Sequence, residues 1–169
     1  NEIIMDVKSQ PYIWNFTNIN ISELKSSKSD KFNVYGKIEK WNVNKTVMKG
    51  QVVRLSIKDN RLGIEPLEYT DITNNDNHNI LGIAIETRFS NQHCEVCVEG
   101  ITTVKLTNNS GEFLLSSDSI KIGMKAIVGL DGYAFGVKTV PVMKFIGLGY
   151  FLENLENTNN NYCLVRIKN

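Results

Sequence analysis

ILGIAIETRFSNQHCEVCVEGITTVKL, residues Ile80 to Leu106, is the stretch whose reading decides the fold. Side chains alternate along a strand, so its first part sorts into large residues, Leu81, Ile83, Ile85 and Phe89, backed by small ones, Gly82 and Ala84. Ser90-Asn91-Gln92 reads as a turn. Beyond it Cys94, Val96, Val98, Thr102, Val104 and Leu106 share one parity, and His93, Glu95, Glu99, Thr103 and Lys105 share the other, which is the pattern of a half-buried strand. Gly100 marks a bend or bulge inside it.

The pattern returns near the C-terminus. Ile146, Gly147, Leu148, Gly149 and Tyr150 repeat the large–small alternation of Leu81 to Ile85, and Cys163, Val165 and Ile167 repeat Cys94, Val96 and Val98. A feeder strand precedes each hairpin: Gly50 then Val53, Leu55 and Ile57, and Gly123 then Ala126, Val128 and Leu130. The Asn-rich loop Ile72 to Asn79 makes the first copy the longer one. The chain is therefore expected to be all-β, a barrel-like or sandwich domain of two related half-barrels sharing one core. Short faces at Gly82, Ala84, Gly147 and Gly149 would admit a neighbouring sheet or subunit closely.

Working outward, Asp59-Asn60-Arg61 and Asp131-Gly132 read as tight turns, because Asp, Asn and Gly suit the backbone of such loops. Leu62 to Glu65 forms a short strand closed by Pro66, and Glu153 to Asn161 an exposed loop. Residues 1–31 lack this Gly-punctuated rhythm and are set apart as an N-terminal arm and hinge; residues 32–169 form the β-domain. Tyr12, Trp14 and Phe16 in the arm are either anchors on another surface or part of an extra edge strand.

Composition excludes several functions. The net charge is +1 with both signs mixed, so no basic footprint for nucleic acid exists. No apolar run approaches the roughly 18 residues that span a bilayer, and no membrane partner is expected. Cys94 and Cys97 have the spacing of a metal or redox pair, yet on an extended strand they point to opposite faces and cannot chelate one ion. His78 and His93 lack support as general bases. Glu95 and Glu99 stand about 13 Å apart on a strand, too far for a glycosidase pair. No phosphate-binding loop or nucleophile elbow is present, so neither catalysis nor a cofactor is expected.

The segments Lys49 to Val53, Ile80 to Ile85, Val96 to Gly100, Gly123 to Gly132 and Phe145 to Tyr150, taken in order and spacing, resemble the bacteriophage capsid decoration (head-cement) proteins and the related base domains of phage head fibres. The resemblance spans about Phe32 to Ile167. It implies an all-β, barrel-like homotrimer on the outer capsid surface of the virion, bound to the major capsid protein and stabilising the shell. The arm and the Asn-rich loop depart from the family pattern. A second reading is a receptor- or glycan-binding module of a phage fibre, with Tyr69, Tyr133 or Trp41 as stacking platforms.

Overall fold

Tight turns decide where this chain reverses. The computed structural model describes residues 18–25, 30–67, 80–107, 120–137, 147–158 and 161–167. Asp59 and Asn60 both take positive φ, 51° and 62°, the backbone that a two-residue hairpin needs. They join β2 (Val52–Lys58) to β3 (Arg61–Pro66). The connection from β6 (Lys125–Val128) to β7 (Ala134–Val137) is longer, Gly129 to Tyr133, a 3-10 turn in which Asp131 and Gly132 take φ 60° and 77°. The turn before β4 (Gly82–Ala84) and β5 (His93–Lys105) closes is at Phe89–Gln92, where Gln92 N donates to Phe89 O.

With β1 (Tyr35–Asn42), β8 (Gly147–Phe151) and β9 (Tyr162–Ile167), nine strands among the described residues form one antiparallel sheet, in the order β3-β2-β4-β5-β9-β8-β6-β7, with β1 on the other edge of β5. The all-β expectation holds. The ladders do not close into a barrel: β3 and β7 reach back through one isolated parallel bridge each, Val43–Ile64 and Leu106–Ala134.

The register shows a duplication. β2 pairs with β3 and β4, and β4 with β5; β6 pairs with β7 and β8, and β8 with β9. β1 lies antiparallel to the first part of β5, and the last part of β5 lies antiparallel to β9. β5 thus ends the first repeat and begins the second. Gly100 sits at the change of role, paired with both Gly36 and Ile167, and the bulge itself lies two residues before it on β5, where Val98 is skipped between the pairs Ile38–Cys97 and Lys37–Glu99.

Hydrogen bonds fix the correspondence residue by residue. Gln51 N donates to Met48 O and Met124 N to Lys121 O, both at 3.0 Å, around Gly50 and Gly123 at φ +88° and +85°. Glycine is needed there because the third position of this turn is left-handed. Gly50 N then donates to Ala84 O and Gly123 N to Phe151 O, both at 2.8 Å. Gly82 therefore matches Gly149, not Gly147, which corrects the sequence alignment by two residues. A slip of two leaves parity intact, so alternation alone could not detect it.

Two interiors result, one confined to the first repeat and one shared by both. Val53, Ile64, Ala84, Cys94, Val96 and Val98 fill the first repeat; their counterparts Ala126, Ala134, Phe151, Cys163, Val165 and Ile167 fill the second. Phe151 stands where Ala84 does, and the facing Val53 and Ile64 shrink to Ala126 and Ala134, so filled volume is kept while the sequences diverge. The second interior continues onto Val52, Ile83, Ile85 and Cys97 on the reverse face of the first repeat. β5 is consequently buried on both sides at Val96–Val98, not half-buried as alternation suggests. Phe89, by contrast, leaves the core and is 62% exposed in the turn.

The described part of residues 1–31 is packed on the sheet. Asn20 caps α1 (Ile21–Lys25), its Oδ1 accepting from Glu23 N at 3.3 Å. Leu24 packs with Ile101 and Leu164, and Phe32 N donates to Ile85 O at 2.9 Å.

Candidate interaction surface

The two repeats differ most in their first hairpins. β6 is short, and its turn tucks against the first repeat, where Gln51 Nε2 donates to Asp131 O. β2 and β3 run further out. One side of this hairpin is polar and internally satisfied: Arg54 pairs with Glu65 at 2.6 Å, and Asn44 Nδ2 donates to Ser56 O and Oγ. The other side begins in the core at Val53 and Ile64 and emerges as Leu55, Ile57 and Leu62. Ile57 is 74% exposed and Leu62, directly across the ladder, 54%. The hairpin outruns the body of the sheet, so nothing among the described residues covers its apolar side. An apolar patch on a projecting hairpin is the usual mark of an interaction site. Arg61 Nη2 donates to Asn91 Oδ1 at 3.3 Å, which holds the turn bearing Phe89 beside the hairpin tip.

A second constellation is structural. Glu86 and Glu153 occupy equivalent positions just past β4 and β8, and both are buried. Glu86 Oε2 accepts from Glu95 N and Glu153 Oε1 from Leu164 N, each at 2.8 Å. Each carboxylate also meets a cation: Arg88 and Lys31 for Glu86, Lys25 at 2.9 Å for Glu153. The carboxylates replace the strand bond that is lost where the chain turns away. Lys31 also bonds Glu95, and that hydrogen bond holds its ammonium above the usual lysine range. The thiols of Cys94 and Cys163 lie against the carbonyls of Glu86 and Glu153. Burial pushes both thiols, and that of Cys97, up to about 12, so they stay protonated and are poor nucleophiles at neutral pH.

The residues singled out by sequence scatter. Tyr12, Trp14, Phe16, Tyr69 and His78 lie outside the described residues. Gly82 and Ala84 are buried, and the close neighbour Gly82 admits is β5 of the same chain: a Cβ there would stand 2.1 Å from Cys97 O. Of the neighbouring sheet or subunit expected at this small face, the neighbour at Gly82 is a strand of the same sheet. Gly147 is exposed and Gly149 half-buried. Cys94 and Cys97 do face opposite interiors. Trp41 packs partly buried against the first interior, its indole N–H donating to Glu39 Oε1 at 3.0 Å, and Lys105 Nζ lies over one face of the Tyr133 ring, 4.8 Å from its centroid. Glu153, assigned to an exposed loop, is instead buried under α1. Leu55, Ile57 and Leu62 are legible in the sequence as apolar positions of this hairpin, but alternation does not tell a covered face from an open one.

No family model and no curated protein matches the chain. Among solved structures it is similar to the crystal structure of the head fibre gp8.5 N base in bacteriophage phi29. The TM-score is 0.52 at 15% sequence identity, and the match covers 78% of this chain and 92% of that one. The two chains share a fold.

Proposed function

We propose that this chain is a structural protein of a phage particle, a decoration protein or head-fibre base that binds the outer capsid surface through the major capsid protein. The fold it shares with a head-fibre base, over nearly the whole of that chain, is the observation that supports this reading. It works as a homotrimer, as the family resemblance implies, and carries out no reaction.

The docking element in this reading is the β2–β3 hairpin. Leu55, Ile57 and Leu62 present apolar area that gains free energy only on leaving water, about 25 cal/mol per Å² removed. Seating that area against assembled capsid subunits favours the assembled state by mass action, about 2.7 kcal/mol per site at a hundredfold excess over the dissociation constant. The buried, protonated thiols and the internally paired carboxylates fit a protein built for rigidity.

The test is co-sedimentation of the full chain with bare shells, followed by thermal disruption of the shells. Binding with a rise in the disruption temperature is expected, and Ile57→Asp should remove both while leaving the chain folded. Absence of binding at saturating concentration would overturn the proposal.

A further inference from the structure

Five half-buried side chains run together where the two repeats meet. Lys49 Nζ stands 4.7 Å from the centroid of the Phe32 ring, Phe32 meets Tyr162 edge-on at 5.4 Å and 71°, and Lys105 Nζ stands 4.8 Å from the centroid of Tyr133. Tyr162 and Lys105 are direct partners across the β5–β9 ladder, so their side chains share one face. Gly50 ties the halves together. Its O accepts from Lys105 N at 2.9 Å, and a Cβ on it would stand 3.1 Å from Lys105 Cβ and 3.3 Å from the Phe32 ring.

The polar groups of this cluster are not spent within the fold. A ring under an ammonium attracts it through its quadrupole but supplies no counter-ion. Neither lysine makes an ion pair among the described residues, and neither the Tyr133 nor the Tyr162 hydroxyl makes a hydrogen bond there. The carboxylates beside Phe32 are committed elsewhere: Glu86 to Arg88 and Lys31, Glu95 to Lys31. Asp131, in the turn before Tyr133, is exposed and pairs with neither lysine. The duplicated frame does not require the arrangement either, because Gly123 stands for Gly50 in the second repeat and Ile122 takes the place of Lys49.

A ligand that answers all these groups brings an apolar ring face, hydroxyls and a negative charge. We propose that the cluster binds an acidic saccharide, through a sugar residue that carries a carboxylate. The sugar's C–H face packs on the aromatic rings, its carboxylate takes N–H donors of Lys49 and Lys105, and its hydroxyls meet the two phenols. A bare inorganic anion would leave the rings and phenols unused. A nucleic-acid backbone needs an extended basic footprint, which a net charge of +1 with mixed signs does not supply. The site shares no residue with the β2–β3 hairpin, so the inference is independent of the capsid reading.

Titration of the full chain with glucuronic acid and, separately, with glucose, followed by heteronuclear NMR, tests it. Glucuronic acid should shift the amides of Gly50, Lys105, Tyr133 and Tyr162 saturably, and glucose should bind about tenfold more weakly or worse, the worth of one charge-assisted hydrogen bond. Lys105→Met keeps the aliphatic stem on the Tyr133 ring and should weaken glucuronic acid by a similar factor, while Lys105→Arg keeps the charge and should retain binding. If Lys105→Met lowers the melt, Lys49→Met makes the same measurement. No saturable shift, equal affinity for the two sugars, or parent-like binding by a folded Lys→Met variant would overturn the proposal. So would inorganic phosphate shifting the same amides with equal affinity, because the site would then read charge alone.

Discussion

Replacing Glu153 by Ala isolates what the paired carboxylates contribute. The side chain is 5% exposed, and its Oε1 takes the Leu164 amide at 2.8 Å in the interior of the second repeat. Alanine leaves that amide without an acceptor, at about 1–3 kcal/mol. It also frees Lys25, which is 30% exposed and regains water, so the ion pair adds only about 0–1 kcal/mol. The sum is roughly 1–4 kcal/mol. For a chain of this size each kcal/mol moves the midpoint by roughly 2–4 °C, so the melt should fall by about 2–16 °C. Glu153→Gln keeps an oxygen for the Leu164 amide and loses only the charge, and should cost under about 1 kcal/mol. Glu86→Ala should be milder than Glu153→Ala, because Glu95, whose amide it holds, is only half-buried. Differential scanning calorimetry of the four proteins decides. If Gln is as severe as Ala at position 153, the charge matters and the backbone cap does not, and the reasoning fails.

Three further outcomes follow from the same structure. Ile83→Asp places a charge in the interior continuous between the repeats, and should abolish the cooperative melt; a circular-dichroism transition like the parent's would mean that residue is misplaced. Cys94, Cys97 and Cys163 should resist alkylation at pH 8 in the folded chain and react on unfolding, as followed by mass spectrometry. Their folded thiols titrate near 12 against 9.0 for the free group, so the folded state holds protons that the unfolded state releases. That contribution is intact below about pH 9 and should be lost between pH 9 and 12, seen as a falling melting temperature. Ile57→Asp should leave the melt within about 0.5 kcal/mol of the parent, since the side chain is largely in water.

Much of this fold was legible where local chemistry sets the backbone. Asp59-Asn60 and Asp131-Gly132 take left-handed turns by their own preference, and Gly50 and Gly123 sit at the one turn position where another residue would be strained. The duplication was visible for the same reason. What was not legible depends on partners distant in sequence. The match of Gly82 to Gly149 is set by ladder bonds, which parity cannot see. Burial of β5 on both faces follows from its membership in two repeats. Glu153 sits in an amide-rich stretch that reads as solvated, and only α1 laid over it, with Lys25 at 2.9 Å, makes it an interior group. α1 itself is one turn long and carries no periodic signal beyond Asn20 and Glu23.

Electron microscopy of the intact phage particle tests the reading most directly. The account predicts density of this fold on the outer face of the shell, in threefold groups, with the β2–β3 hairpin pressed against the major capsid protein. Density confined to the tail or the shell interior, or an outer density whose hairpin points to solvent, would contradict it.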